Sequence, residues 1–587
     1  MLKTWKTPLV IISLLISSHL YAASEPAVEA KNGMVVSAQY LASQVGVDIL
    51  KIGGNAIDAA VAVGYAQAVV NPCCGNIGGG GFMTIHLADG TNTFINFRET
   101  APNAASANMY LDKEGNVVKG TSLYGYLAAG VPGTVMGLNS ALKKYGKLSR
   151  EQVMAPAIKL AREGYILTRA DTDILDTSIK RFRKDPEAAR IFLRKDGSPY
   201  QPGDKLIQTD LANTLELIAK KGQEAFYHGD IPKRVAEAAK KSGGIITEAD
   251  FANYKISETS PVTCSYRGYK FISSPPPSSG GVTMCETLNI LEGYNLKEMG
   301  FNSADYIHTL TEAMRHAYMD RNTHLGDPEF VKNPIDRLLS KSYAESLRKK
   351  IKPGEATSSE NVQPGIEPHE KPETTHYSIV DKEGNAVSTT YTINGLFGAV
   401  VIAPGTGFFL NDEMDDFTTK IGEKNLYGLV QGATNSIAPG KRPLSSMSPT
   451  LVTKDNNIFL VLGSPGGSRI ISITLQTALN IIDHGMPPQE AVNSPRIHHQ
   501  WLPDEVYYEQ RGVSKDSLNL LEKMGYKMVE QTPWGAAELI MVGLPKAAGA
   551  SNTGSSGNDS AVSGQVRENY FYGANDVRRP AGAAIGY

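Results

Sequence analysis

Between Lys349 and Pro372 the chain carries Pro353, Gly354, Pro364, Gly365, Pro368 and Pro372 with Ser, Glu and Lys between them, and at Thr374 it passes directly into a β-like block. Such a composition reads as a flexible surface linker, spanning about 349–373. A linker that stops at the first residue of a strand divides the chain into a part ending at Glu373 and a part beginning at Thr374. The runs Thr374 to Val380 and Ala386 to Asn394 flank the turn Asp381-Lys382-Glu383-Gly384-Asn385. If Val380 pairs with Ala386, the register sets Thr374 opposite Thr392, and the two-residue period puts Thr392 and Asn394 on one face. Two threonine hydroxyls are thereby predicted to meet where a strand emerges from a linker.

A threonine hydroxyl is a weak nucleophile until a base takes its proton. A threonine at a chain terminus carries such a base, its own α-amino group, with a pKa of ~7.7–8.0. Cleavage of the Glu373–Thr374 bond would create that terminus. An isolated Thr-Thr pair in a strand is ordinary, so the reading rests on what accompanies it.

The N-terminal part alternates helix and strand. Leu41, Val45 and Ile49 recur at helical spacing and stop at Gly53-Gly54. Asn55 then opens an alanine-rich helix, Ala56 to Val70, predicted to be buried. Gly81 to Leu87 and Thr93 to Phe97 read as strands joined at Asp89-Gly90. Leu211, Leu215 and Ile218 mark an amphipathic helix ending at Gly222, and Ala547 to Gly564 reads as a mobile polar loop. No internal repeat is present.

Lys3 and Lys6, the apolar stretch Leu9 to Leu20 and the site Leu20-Tyr21-Ala22 form a signal peptide, residues 1–22. The apolar run falls short of the ~20 residues of a membrane span. A periplasmic or secreted protein is expected, in a compartment that permits disulfides. Cys264 and Cys285 flank the loop Ser274 to Gly281 and could meet, whereas adjacent Cys73 and Cys74 would form a strained bridge. No cysteine pair has zinc-ligand spacing, so no metal is expected. A formal net charge of -2 and the lack of a basic stripe argue against a nucleic-acid partner. The glycines cluster at Gly78 to Gly81 and Gly463 to Gly467. The first cluster lacks the lysine of a phosphate-binding loop and the spacing of a dinucleotide fingerprint.

The segment Thr374-Thr375-His376-Tyr377-Ser378, followed by Gly384-Asn385-Ala386-Val387-Ser388 and Thr390-Tyr391-Thr392, resembles the small-subunit start of γ-glutamyltranspeptidases. The same holds for Asn411 to Phe417, Arg442 to Thr450 and Gly463 to Arg469. In the N-terminal part, Gly53 to Ala60, Gly75 to Gly81 and Phe97-Arg98-Glu99 also match. These signatures stand in family order over almost the whole mature chain. The resemblance implies an α+β fold, the four-layer αββα sandwich of N-terminal-nucleophile hydrolases, formed by two chains after autocleavage. Residues 23–373 would be the large subunit and 374–587 the small one.

The resemblance also implies roles. Thr374 is the nucleophile and Thr392 orients it. Gly466 and Gly467, between an apolar strand and a helical pattern, form an oxyanion hole, as backbone N–H groups beside a helix start can. Arg98 grips the α-carboxylate of a γ-glutamyl donor with Ser445 and Ser446. Asn394, Glu413 and Asp416 take its α-ammonium, and Tyr427 covers the pocket. Asp412 and Asp415 are read as structural or solvated. The implied partners are small γ-glutamyl donors such as glutathione, with water, amino acids or dipeptides as acceptors and no cofactor. The alternative is a related acylase that removes glutaryl-type side chains; Asn394, Glu413 and Asp416 argue against it.

Overall fold

Side chains alternate along Thr375–Asp381 between two different cores. Tyr377 and Ile379 join one, Val380 the other, and all three are buried. The same alternation recurs along Ala386–Thr392, with Val387 and Tyr391 facing as Tyr377 does and Ala386 facing as Val380 does. A strand buried on both faces in this way belongs to an inner layer.

The computed structural model describes residues 24–359, 374–423, 425–426, 428–544 and 566–587. The predicted signal peptide 1–22, residues 360–373 of the predicted linker, Tyr427 and the Ala547 to Gly564 stretch lie outside them. Two seven-stranded antiparallel sheets dominate. One runs in the order Ala583–Gly586, Gly33–Ser37, Thr375–Asp381, Ala386–Thr392, Gly80–His86, Asn92–Asn96, Ser257–Thr259. The other runs Val28–Ala30, Phe571–Asn575, Glu538–Val542, Asn457–Gly463, Thr450–Lys454, Tyr269–Ser273, Val262–Tyr266.

Three cores fix the layering. Met34, Val36 and Val380 of the first sheet meet Ile272, Leu451, Val461 and Ile540 of the second. The outer face of the first sheet packs on helices that include Tyr40–Lys51, Ala56–Val70 and Thr134–Tyr145. The outer face of the second packs on Gly280–Leu291, Ala304–His324 and Ile470–Ile482. Helix, sheet, sheet, helix is the four-layer αββα sandwich the sequence implies.

Strands from before and after residue 374 interleave in both sheets, so cleavage at that point would leave two chains sharing one set of cores. Residues 349–359, read from composition as the start of the linker, form a largely exposed loop that is anchored at a few points. Ile351 is buried, the Ala356 amide donates to Met524 O at 2.8 Å, and the Ser359 amide donates to Asp504 Oδ2 at 2.7 Å. Local composition does not report such docking onto distant elements.

The fully buried helix Ala56–Val70 starts on a reciprocal cap, the Asn55 side chain accepting from the Asp58 amide and Asp58 from the Asn55 amide. Cys264 and Cys285 form a disulfide with Cα atoms 5.8 Å apart. Cys73 and Cys74, whose mutual bridge was expected to be strained, are also bonded to each other.

Candidate active site

The hairpin Thr375–Asp381/Ala386–Thr392 holds the predicted register, with Val380 opposite Ala386 and Thr375 opposite Tyr391. One residue further back, Thr374 Oγ1 lies 3.2 Å from Thr392 Oγ1. Thr392 Oγ1 also accepts the Asn394 amide at 2.8 Å. Asn394 has left the strand in a left-handed conformation (φ 70°), and its side-chain amide donates to Asp412 O at 3.0 Å. That bond ties the end of the strand Ala386–Thr392 to the residue preceding the acidic turn Glu413–Asp416. The glycine cluster explains how the strands come this close: a Cβ on Gly79 would lie 2.0 Å from Thr392 O. Gly78 to Gly81 therefore serve close backbone packing and leave no room for a phosphate.

Arg98 follows the strand Asn92–Asn96 and is fully buried. Its Nε donates to Pro443 O at 3.1 Å, one terminal nitrogen to Glu413, and the other to Asp416 Oδ2 at 2.5 Å. Glu99 Oε2 stands 3.7 Å away. Burial alone would favour a neutral Arg98, but Glu413, Asp416 and Glu99 outweigh it and hold the guanidinium above its ordinary pKa. Burial pushes the Glu413 carboxyl well above the usual range, with Arg98 opposing, and raises Glu99 to about 7. The two carboxylates expected to receive an ammonium thus pair with the arginine expected to receive a carboxylate.

Asp412 and Asp415 each have hydrogen-bond partners within the protein. The first accepts the Gly395 amide at 2.8 Å, and the second accepts Ser122 Oγ at 2.6 Å and the Leu426 amide at 2.7 Å. The Leu426 bond, with Asn425 Nδ2 donating to Asp416 Oδ1 at 3.4 Å, docks the two residues before Tyr427 against the acidic turn.

Ser445 and Ser446 lie in an extended segment clamped by the loop Ser274–Gly281. The Ser445 amide donates to Pro277 O at 2.9 Å, and Ser278 Oγ donates to Met447 O at 2.6 Å. Gly466 (φ 145°) and Gly467 (φ 55°) make the turn between Asn457–Gly463 and the short helix Gly467–Arg469 that leads into Ile470–Ile482.

One cavity gathers these parts: Thr374, Thr392, Asn394, Arg98, Glu413, Asp416, Ser445, Ser446 and Gly467 line it. Gly466 adjoins Gly467 outside the lining, and Tyr427 is outside the described residues. The sequence reading missed Arg321, Leu429 and Ile470, which complete the walls, and did not single out Leu444 and Met447 within their motif. Arg321 sits in the last turn of Ala304–His324, where no local pattern marks it as a cavity residue. Among the described residues no group of three His, Cys, Asp or Glu side chains could hold a metal ion.

A nucleophile with a hydroxyl neighbour, an amide-lined turn and a charged wall in one small cavity suits acyl transfer from a short zwitterionic donor. The family model for gamma-glutamyltranspeptidase matches residues 42–562. The chain is 56% identical to a glutathione hydrolase proenzyme of Pseudomonas sp. (strain A14), over 97% of this chain and 96% of the relative. It is 50% identical to the glutathione hydrolase proenzyme of Escherichia coli (strain K12), over 88% and 89%. Among solved structures, a cephalosporin acylase from Bacillus halodurans superposes with a TM-score of 0.81 at 27% identity, covering 97% and 98% of the two chains.

Proposed function

The chain belongs to the γ-glutamyltranspeptidase family, and from that premise we infer how its residues divide the work. It is a glutathione hydrolase and γ-glutamyltransferase that matures by self-cleavage. The observation that carries the assignment of residues is the meeting of Thr374 and Thr392 hydroxyls in the cavity that Arg98, Glu413 and Asp416 close.

In the precursor, Thr374 Oγ adds to the Glu373 carbonyl and the C–N bond breaks, which frees the Thr374 amine and leaves an ester; water then opens the ester, releasing the Glu373 carboxylate and restoring the Thr374 hydroxyl. In the mature enzyme that amine takes the Oγ proton as Oγ adds to the donor's γ-carbonyl. Amides of Gly466 and Gly467 stabilise the oxyanion. The leaving amine departs with the proton, and water or an acceptor amine then releases the γ-glutamyl group from Thr374.

Donor recognition proceeds by exchange of ion pairs. Without donor, Arg98 is satisfied by Glu413 and Asp416. With donor, the α-carboxylate takes up Arg98, Ser445 and Ser446, and the α-ammonium replaces the guanidinium against Glu413, Asp416 and the Asn394 amide oxygen. Arg98, Glu413 and Asp416 thus each keep an opposite charge in both states, which avoids the cost of stranding one. A glutaryl donor lacks the ammonium and would leave the carboxylates unmatched, which disfavours the acylase alternative.

Comparing γ-glutamyl and glutaryl anilides on the purified enzyme tests this. Sites built around a polar group reject analogues lacking it by ~10⁴-fold, and a kcat/KM ratio of that order is expected. Comparable rates would support the acylase reading instead.

Export through the signal peptide 1–22 completes the proposal. The Cys264–Cys285 disulfide supports an oxidising compartment. Among the described residues no helix is long and apolar enough to cross a membrane. Amino acids and dipeptides are the acceptors proposed besides water.

A further inference from the structure

Arg321 is a second guanidinium on the cavity wall, 1% exposed. Its side-chain partners are all neutral: Nε donates to Ser279 Oγ at 2.8 Å, one terminal nitrogen to Ser446 Oγ at 2.9 Å, and the other to Asn322 Oδ1 at 2.7 Å and Gln431 Oε1 at 3.4 Å. No described carboxylate lies within ion-pair distance of it. Burial pulls its pKa down to about 10, with Tyr318 and Asp416 opposing. A buried cation of this kind is costly unless a ligand supplies the anion.

The directions of these bonds matter. A guanidinium only donates, whereas a hydroxyl donates once and accepts twice. Ser446 Oγ must accept from Arg321, so its single proton points elsewhere. Ser279 Oγ likewise accepts from Arg321 and passes its own proton to Ser445 O at 2.7 Å, where the Ser279 amide also donates at 2.8 Å. Ser445 Oγ accepts the Met447 amide at 3.1 Å. Both cavity-lining hydroxyls therefore have a lone pair engaged by the protein and a proton left for an acceptor in the cavity.

We propose that Arg321, partly through Ser279, is the positioning residue that orients Ser445 and Ser446 to donate to the donor's α-carboxylate. This rests on the reading that those two serines bind that carboxylate. Arg321 acts through them and contributes its charge from behind. The Ser274–Gly281 loop thereby gains a role in recognition although it lines none of the cavity.

The test uses the processed enzyme with γ-glutamyl-p-nitroanilide and its decarboxylated analogue, 4-aminobutyryl-p-nitroanilide. Arg321→Met should raise KM for the γ-glutamyl substrate about ten- to a hundredfold, as loss of a charged hydrogen bond does, with little change in kcat. The analogue should change by no more than about threefold, and Arg321→Lys should recover part of the loss. In a Ser446→Ala background the Arg321→Met effect should shrink to within about threefold. Equal losses on both substrates, or full additivity with Ser446→Ala, would overturn the proposal. If Arg321→Met does not fold, Ser279→Ala decides: a rise in KM confined to the γ-glutamyl substrate supports the proposal, and unchanged selectivity overturns it. Should Ser446→Ala alone leave KM unchanged, the carboxylate reading of the serines fails, a result distinct from failure of Arg321 to discriminate.

Discussion

Thr374 Oγ1 and Thr392 Oγ1 lie 3.2 Å apart, and the Asn394 amide donates to the Thr392 oxygen at 2.8 Å. In the proposed mechanism Thr392 donates to Thr374 and steadies the negative charge that develops on the attacking oxygen. Thr392→Ala should slow both self-cleavage and turnover, by about 10²-fold in kcat if Thr392 acts as an oxyanion-type donor does. Thr392→Ser should retain most of both. A time course of precursor loss on denaturing gels, alongside kcat, checks this; an unchanged rate in the alanine variant would remove Thr392 from the mechanism.

Arg98, proposed to bind the donor, also pairs with two buried carboxylates, which gives it a structural duty. Arg98→Ala should cost about 3–5 kcal/mol of stability, as breaking a buried pair does, and also raise the donor KM. Adding Glu413→Gln should recover stability, since one stranded charge is gone, without restoring donor binding. Thermal melts and donor KM on the single and double variants separate the two effects. A single variant with wild-type melting would show that the ion cluster contributes nothing to the fold.

His376 lies between the sheets, its Nδ1 2.8 Å from Thr390 Oγ1 and its Nε2 3.0 Å from Ser378 Oγ. Burial pushes its pKa down to about 3. The unfolded chain protonates this group near its ordinary value of ~6.5, so the unfolded state binds more protons below that pH. The associated stability is present above ~6.5 and is lost as pH falls toward the folded value. Carboxyls raised by burial, Asp415 to about 6 and Glu99 to about 7, act in the opposite sense, losing stability as pH rises. A His376→Gln variant cancels their contribution. Its stability should fall less steeply than wild type between pH ~6 and ~4, the slopes differing by up to ~1.4 kcal/mol per pH unit. Parallel pH profiles would mean His376 titrates normally in the fold.

The register of the nucleophile hairpin was legible because it depends on local facts: a period of two, a polar five-residue turn and one assumed pair. The helix Ala56–Val70 was legible for similar reasons, from Asn55 at its start and its run of small apolar residues. What escaped depends on contacts across hundreds of residues. Nothing near Arg98 reveals that Glu413, 315 positions on, pairs with it. Arg321 escaped because its partners Ser279, Gln431 and Ser446 come from three separate segments. The Pro/Gly content of 349–359 spoke for a loop, which it is, but its anchoring to Met524 and Asp504 is not written in that composition.

The central claim is that one hydroxyl, on Thr374, both cuts the chain and carries the γ-glutamyl group. Intact mass and N-terminal sequencing of wild type, Thr374→Ala and Thr374→Ser, with transfer assayed on the same samples, test it most directly. Wild type should give two fragments, the smaller beginning Thr374-Thr375-His376. Thr374→Ala should stay a single chain without transferase activity, and Thr374→Ser should process more slowly and keep partial activity. A wild-type enzyme that is fully active while uncut, or cut at another bond, would contradict the account.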